Sequence, residues 1–443
     1  MRYLLLTFIF FFTSLFLQAQ TGKDIIAALK SINTSVGTKF CGTDSAAAIS
    51  NRAMNIFMAD KTGYLSASTD LSYFTNYVTF NTAEGKFTVS HNFQQAAGID
   101  DPVKKLFNIG FDMTIANSYA KSFLDKRFEN ELDLSICYTW LGKVKTTFES
   151  CEATQSSINQ KQAMDALRIA MLQSLEAEIS KKEIDFNAAL NAIDSSSVPG
   201  QNIQIAKTLM QQNFYTNLRA LYEEKFAALQ SALLTKTNNF KSISTHWTSF
   251  TAYAPLLFPK YTISRSFTTS FDNKHPYPFN AILGHTRMWE NSKAGRIFFT
   301  LMAGLLFNNS KLTYGLSKLN YSEYKNLGGT GTQQITDPGN NKLYIGQYET
   351  FVTPSLTARL VYFPHDSHIG ASVLVEQNIG KYNLLNAKLA IPIVLINSKK
   401  TPAVNIECYL LLFNLTNKTS LVINQGKSAV GVSIGIPFSR LMY

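Results

Sequence analysis

The chain has 443 residues and a net charge of +11. This length is enough for two or three compact units, or for one large β-barrel with an insertion. A basic surplus can serve nucleic-acid binding, but the first residues indicate export, and an exported protein rarely meets nucleic acid. We therefore exclude nucleic acid and expect anionic lipid, lipopolysaccharide or anionic solutes as partners, with ordinary loop charge as the alternative.

The first 19 residues have the composition of a secretory signal peptide. Arg2 precedes an apolar run over 4–17, and Gln18-Ala19-Gln20 follows it. This order of charged, apolar and small residues predicts cleavage after Ala19. An uncleaved membrane anchor is the alternative, but the apolar run is short for a spanning helix. No later run is long and apolar enough for such a helix, so the mature chain would have to cross a membrane with strands.

Residues 20–62 contain two helix-like pieces, around 23–32 and 44–58, which would plug a barrel lumen or lie beneath it in the periplasm. The segments 63–150 and 241–443 then carry a strong strand signal. In 132–140 the apolar residues fall on one face and the polar residues on the other, over a length that suits a barrel strand. Similar alternation predicts twelve strands in all, with 12–14 as the range. Their positions are 68–80, 85–93, 106–116, 132–140, 259–271, 279–290, 294–307, 350–363, 368–379, 385–395, 403–413 and 430–438.

The length of these strands favours a transmembrane barrel over a soluble sandwich, since strands in soluble proteins average about five or six residues. Several end in an aromatic residue, such as Trp140 and Trp289, as the girdle of a membrane barrel does. Short connections alternate with long ones, of which the longest is 308–349. The segment 241–258 is either a connection or an extra strand, and Pro255 and Pro259 favour the connection because proline disfavours a central strand.

Residues 151–240 differ from the rest, because apolar residues recur there at helical spacing on both sides of a turn at 195–202. We predict two antiparallel helices of roughly 30 to 35 residues, about 45–50 Å long. Four strands, an even number, precede this hairpin, which predicts a position in the periplasm; an odd number would put it outside the cell. Its apolar stripes either pack within the hairpin or dock a periplasmic or envelope protein. The candidates for partner binding are Met171, Phe186, Phe214, Tyr222 and Phe226.

Charged residues on the polar strand faces are candidates for lining the lumen. They would form a selectivity ring or a salt-bridged network that fills a narrow barrel. The candidates are His285, Arg287, Arg296, Arg359, Lys388, Glu376, Glu407 and Asp133. Arg287 shares a face with His285, and both point inward if Gly284 and Met288 face lipid.

Enzymatic function has little support in the sequence. A barrel-embedded lipid hydrolase would need His285 with a serine such as Ser264, Ser266 or Ser270, but no motif joins them. His365 and His368 could share a metal, yet no third ligand is indicated, so we predict neither a metal nor a cofactor. Of four cysteines, Cys41 and Cys151 are the pair to test for a disulfide in the oxidising periplasm. Cys408 is expected to stay a free thiol on an apolar face.

The leader ending in Ala19-Gln20, the runs 354–363 and 431–438, and the aromatic Tyr443 resemble outer-membrane β-barrel proteins of Gram-negative bacteria as a broad class. The likeness covers about half of the chain. It implies location in the outer membrane and a C-terminal strand that the barrel-insertion machinery reads. The expected function is a pore, or the membrane anchor of an envelope complex through the helical hairpin. A soluble, surface-attached β protein with an adhesive role is a further alternative.

Overall fold

The computed structural model describes residues 21–39, 49–65, 76–82, 86–94, 103–114, 123–124, 127–128, 132–148, 155–193, 200–237, 240–257, 261–265, 272–274, 278–307, 317–320, 342–346, 348–380, 383–398, 401–416 and 428–439. The predicted leader, Cys41 and Cys151 lie outside these residues, and so does their predicted disulfide. The chain divides into two compact units, one mainly helical and one mainly strand, and the boundary falls within the helix Asn51–Thr62.

Four α-helices are described. They are α1 (Gly22–Lys39), α2 (Asn51–Thr62), α3 (Gln155–Asn191) and α4 (Gly200–Thr237), and a short 3-10 turn over Gly63–Leu65 follows α2. The long helices α3 and α4 are the predicted hairpin. Unexpectedly, α1 packs against both, and Ile25 and Leu29 are buried with Ile179, Tyr222 and Phe226 in one core. No helix in the described part of the chain is long and apolar enough to cross a membrane.

Twelve of the described strands form one closed antiparallel barrel, because the strand Phe279–Asn291, which stands first in the sheet order, also pairs with the strand Phe240–Leu257. In chain order they are β1 (Asn76–Asn81), β2 (Lys86–Gln94), β3 (Lys105–Thr114), β6 (Leu132–Leu141), β8 (Phe240–Leu257), β11 (Phe279–Asn291), β12 (Gly295–Phe307), β15 (Val352–Phe363), β16 (Ala371–Asn378), β17 (Leu385–Ile396), β18 (Pro402–Leu412) and β19 (Ser428–Ser439). Sheet order follows chain order around the wall. Closure leaves no unpaired edge, which a strand-built membrane protein requires.

Seven shorter strands complete the set. They are β4 (Phe123–Leu124), β5 (Arg127–Phe128), β7 (Lys145–Phe148), β9 (Tyr261–Ser264), β10 (Asp272–Lys274), β13 (Ser317–Asn320) and β14 (Lys342–Ile345). The strands β9, β10, β13 and β14 form a separate small sheet within the loops 258–278 and 308–351. These loops leave the same barrel end as 115–131 and 413–427. The opposite end carries the shorter turns 292–294, 364–370 and 397–401, an asymmetry typical of membrane barrels with short periplasmic turns.

One strand prediction is wrong. Residues 240–257 form the 18-residue strand β8, whereas 261–264 belongs to the loop sheet and not to the barrel. Pro255 is tolerated because it lies near the end of β8, where the pairing with β6 shifts register between Leu132 and Asp133. The outer face of β8 carries His246 and Thr248, which interrupt the apolar stripe by which the other strands are recognised.

The barrel wall alternates between an exposed apolar outer face and a buried polar inner face. On β12, for example, Ile297, Phe299 and Leu301 are exposed, whereas Arg296 and Phe298 are buried. The same contrast repeats around the wall, with Leu360, Ile391 and Val430 among the exposed side chains. An apolar exterior around a polar interior suits hydrocarbon outside and not water. The fold is therefore that of an outer-membrane β-barrel.

Candidate functional site in the barrel interior

The segment Met58–Leu65, here named the inner segment, lies against the inner face of the barrel. Lys61 Nζ donates to Glu290 Oε1 at 2.6 Å. The guanidinium of Arg296 donates to both carboxylate oxygens of Glu290, at 2.7 and 3.2 Å. Arg296 also donates from Nη1 to the carbonyl oxygen of Lys61 at 3.2 Å. A bidentate arginine–carboxylate pair is geometrically demanding, and here it joins the inner segment to β11 and β12.

Neighbouring residues fix the inner segment to further strands. The Tyr64 ring stacks on the Arg296 guanidinium, with 4.3 Å between the guanidinium carbon and the ring centroid. The edge of the same ring meets Phe363 on β15, at 5.2 Å between centroids. Asn405 Nδ2 on β18 donates to the carbonyl oxygen of Gly63. The inner segment therefore occupies the lumen at the end that carries the short turns.

Burial perturbs the one amine in this cluster. Removal from water, assisted by the positive charge of Arg296, lowers the pKa of Lys61 to about 8, while Glu290 opposes the shift. Desolvation disfavours the charged form of a buried amine, so the carboxylate only partly offsets the loss of water. The ion pair is consequently sensitive to pH a little above neutrality.

A second ion cluster lies deeper in the lumen. Glu407 on β18 accepts a hydrogen bond from Arg359 Nη2 at 3.4 Å and forms an ion pair with Lys388 Nζ at 2.8 Å. The Lys388 ammonium also lies 4.2 Å from the centroid of the Tyr409 ring. The Tyr409 hydroxyl in turn donates to Asn81 Oδ1 on β1. Arg359 and Glu407 are buried, so this cluster fills lumen space between β15, β17 and β18.

The inner face of β18 brings the two clusters into adjacent layers. Asn405 contacts the inner segment, Glu407 holds the second cluster, and Tyr409 continues the same face. Alternate residues of a strand are about 7 Å apart. Across the two clusters, four basic side chains face two carboxylates when Lys61 is protonated. These two clusters therefore combine dense packing with a local positive balance, which attracts anions.

The wall from β1 to β8 lines a third, polar region. Asp112 on β3 accepts from Thr88 at 2.5 Å and pairs with Lys86 at 3.3 Å. The buried amide of Asn108 has no hydrogen-bond partner at either its oxygen or its nitrogen, and it lines a cavity of about 10 Å³ beside Asp112. That is roughly the space of one water molecule, which could satisfy the amide.

The structure distributes the lumen candidates between the two faces of the wall. Arg296, Arg359, Lys388 and Glu407 are on the inner face within the clusters described above. Two more share that face by strand alternation, Glu376 with Ser372 and Asp133 with Cys137.

The placement of His285 and Arg287 in the lumen is wrong. Both are exposed on the outer face of β11, while Gly284, Met288 and Glu290 face inward. The pairing across the turn explains this orientation. Glu290 lies opposite Arg296, so Arg287 lies opposite Phe299 on the lipid-facing side.

Sequence reasoning missed Lys61, Glu290, Asp112 and Asn108. Glu290 was detectable, because it and Arg296 flank the turn 292–294 at equal distance and must oppose each other in a tight hairpin. Lys61 was not detectable, since nothing in its local pattern shows that α2 ends against the barrel wall.

The partner-binding prediction is wrong for the most buried residues of the hairpin. Tyr222 and Phe226 are 1% exposed within the core of the helical unit. Phe186 and Phe214 stack on each other at 3.8 Å between ring centroids, and Met171 is half-buried. Mutual packing, the alternative reading of the apolar stripes, accounts for these contacts. Exposed apolar residues of the two helices instead include Leu167, Ile169, Ile184, Ile205, Leu209, Met210 and Leu221.

The other chemistry candidates have contacts of their own. His285 Nδ1 lies 2.9 Å from Thr248 Oγ1, Ser264 lies in the loop sheet, and Ser266 and Ser270 fall outside the described residues. His365 pairs with Asp366 at 3.1 Å, and His368 contacts Tyr64. Within the described ranges, no group of three or more His, Cys, Asp or Glu side chains could hold a metal. Cys408 is exposed on the outer face and Cys137 is buried on the inner face, both as free thiols.

Comparison with known proteins adds matches to solved structures. No protein-family model and no curated protein matches the chain. A solved structure described as a loop L8 deletion mutant of OmpT, an outer membrane protein of Vibrio cholerae, matches 82% of this chain and 96% of its own. The two share 7% sequence identity and a TM-score of 0.23. The assignment of the fold class therefore rests on the geometry of the barrel.

Proposed function

We propose that this protein is a barrel of the outer membrane with a closed lumen, which serves as the membrane anchor of an envelope complex. The observation that carries the proposal is the inner segment. It is held inside the barrel by Lys61–Glu290–Arg296 and by the contact between Gly63 and Asn405. A wide pore would expose such charges to water, whereas Glu290 and Arg296 are both buried.

The helical unit supports the anchoring role. It has its own core, and Tyr215 and Glu183 join α4 to α3 through a hydrogen bond of 2.8 Å. Ile205 and Leu209 are both more than half exposed on α4. Residues four apart lie on the same face of a helix, so these two form one apolar stripe. An exposed stripe on a rigid helical unit suits docking of a periplasmic protein.

The first experiment measures conductance and association separately. Purified full-length protein in planar bilayers should give no reproducible conductance steps, and frequent steps would overturn the closed-lumen proposal. Crosslinked envelopes should yield one stoichiometric periplasmic partner with the wild-type chain. The double variant Ile205→Glu/Leu209→Glu should lose that partner while keeping heat-modifiable migration on gels. Gln204→Glu/Thr208→Glu places two charges on a neighbouring exposed face of the same helix and should retain it.

A gated anion pore is the second candidate, favoured by the positive balance of the two ion clusters. In that case, displacement of the inner segment would open the lumen. Glu290→Gln should then produce conductance with a reversal potential that favours chloride over potassium, and adding Lys388→Gln should weaken that preference. Lys293→Gln alters an exposed lysine in the turn 292–294 and serves as the control. If neither Glu290→Gln nor its combination with Lys388→Gln conducts ions, this function is excluded.

A further inference from the structure

The outer face of the barrel carries a basic patch, built by β8 and β11. It consists of His246 and Thr248 on β8 with His285 and Arg287 on β11, and Trp289 borders it. The His246 and His285 rings lie 5.7 Å apart between centroids. Arg287 follows His285 by two residues on the same face, about 7 Å along the strand. Three basic side chains therefore converge on one area of the lipid-facing surface.

The patch is geometrically organised. Thr248 Oγ1 lies 2.9 Å from His285 Nδ1, which orients the ring and leaves Nε2 on its far edge. The Arg287 guanidinium carbon lies 4.8 Å from the centroid of the Trp289 ring. His246 packs over Gly142, where an added Cβ would lie only 2.4 Å from the imidazole. The absence of a side chain at Gly142 is thus what allows His246 to lie flat on the wall.

The surroundings of the patch lack compensating charge. The residues paired with Arg287 and His285 across β12 are Phe299 and Leu301, both exposed and apolar. Among the described residues, neither histidine of the patch nor Arg287 forms an ion pair with a carboxylate. An arginine on the lipid face is costly at the bilayer midplane but far less costly near an interface. The exposed Trp140 and Trp289 mark such an interface, because tryptophan concentrates at the headgroup level.

We propose that this patch binds the phosphate of a phospholipid headgroup in the leaflet that faces the short turns. A phosphate offers oxygen acceptors to the arginine fork and to both imidazoles, and its acyl chains would lie over the exposed Leu283 and Phe250. The proposal rests on the barrel crossing a membrane but not on whether its lumen is closed. It assigns to His285 and Arg287 a role in lipid contact in place of the predicted role in the lumen.

Native mass spectrometry of the full-length protein in an uncharged detergent tests the site. Phosphatidylglycerol and phosphatidylcholine should each remain bound, whereas diacylglycerol, which lacks the phosphate, should not. Arg287→Gln/His285→Gln should weaken retention of both phospholipids by about tenfold, which corresponds to one charge-assisted hydrogen bond. The matched control Lys293→Gln/His365→Gln removes one lysine and one histidine from exposed turns at the same barrel end and should retain them.

Three results would overturn the proposal. They are equal retention of diacylglycerol, equal loss of lipid in the control variant, and displacement of bound phospholipid by millimolar inorganic phosphate, which would indicate a site for a soluble anion. Heat-modifiable migration on gels should be kept by every variant, because it reports a folded barrel. Its loss would contradict the barrel assignment and not the lipid site. A correctly folded barrel without selective lipid binding would refute the site alone.

Discussion

Replacement of Glu290 by glutamine tests whether the inner segment is held by charge. The carboxylate contacts both Lys61 and Arg296 and is itself buried. Glu290→Gln preserves volume but leaves two buried cations facing each other. Removing one partner of a buried ion pair typically costs about 3–5 kcal/mol, because the remaining charge stays desolvated. We therefore expect release of the inner segment to become at least about 100-fold more favourable.

The pH dependence follows from Lys61. Its pKa in the folded protein is about 8, below its ordinary value. Between about pH 8 and the ordinary pKa of lysine the unfolded chain binds more protons, so stability rises with pH in that window. Without Glu290 the pKa of Lys61 should fall further, so the pH range over which stability rises should begin at a lower pH. The loss of stability that Glu290→Gln causes should consequently be smaller at pH 9 than at pH 7.

Hydrogen exchange over residues 58–65 measures the release of the inner segment directly. Asp366→Asn is the matched control, since it removes an exposed carboxylate whose pair with His365 is worth about 0–1 kcal/mol. The double variant Lys61→Met/Glu290→Gln should recover part of the lost protection, because it also removes one of the stranded cations. The reasoning is refuted if Glu290→Gln loses no more protection than Asp366→Asn, or if Lys61→Met gives no recovery.

Three further predictions concern other parts of the molecule. Phe214→Ala should destabilise the helical unit by about 3 kcal/mol, because it deletes one of two stacked rings, while barrel migration on gels stays unchanged. An apolar maleimide should label Cys408 on the outer face at least tenfold faster than the buried Cys137, as peptide mapping would show. Burial, reinforced by Glu183, raises the pKa of Tyr215 to about 12. The unfolded chain therefore loses its proton first, and helical stability should fall as pH rises from about 10 to 12, an effect that Tyr215→Phe should abolish in thermal melts.

The barrel was largely predictable because each strand carries its own evidence. In a strand whose outer face meets lipid and whose inner face is polar, apolar and polar residues alternate with a period of two. This alternation can be read from β15 and β17 alone, without knowledge of any other strand. β8 was missed because Pro255 and Pro259 disfavour a central strand and because Thr248 and His246 interrupt its apolar face. The helical hairpin was predictable for the same local reason. The packing of α1 on the hairpin was not predictable, because it joins residues that are more than a hundred positions apart in the chain.

The residues of the interior were predictable only on strands whose two faces could be assigned correctly to lumen and lipid. Shifting the assignment of a strand by one residue exchanges its two faces completely. On β17 and β18 the apolar stripe is unambiguous, so Lys388 and Glu407 could be assigned to the inside. β11 is ambiguous, because one face carries Leu283, His285 and Arg287 and the other carries Gly284, Thr286 and Met288.

The antiparallel partner resolves that ambiguity and changes the functional conclusion. β12 has a clear apolar stripe through Phe299 and Leu301, and pairing across the turn places Arg287 and His285 on the same side. The basic residues thereby leave the lumen and reach the lipid-facing surface, while Glu290 enters the lumen and receives Lys61. The orientation of the two faces of β11 thus determines both features, namely the ion cluster that closes the lumen and the basic patch that faces the membrane. A variant that perturbs one face of β11 should leave the function of the other face intact.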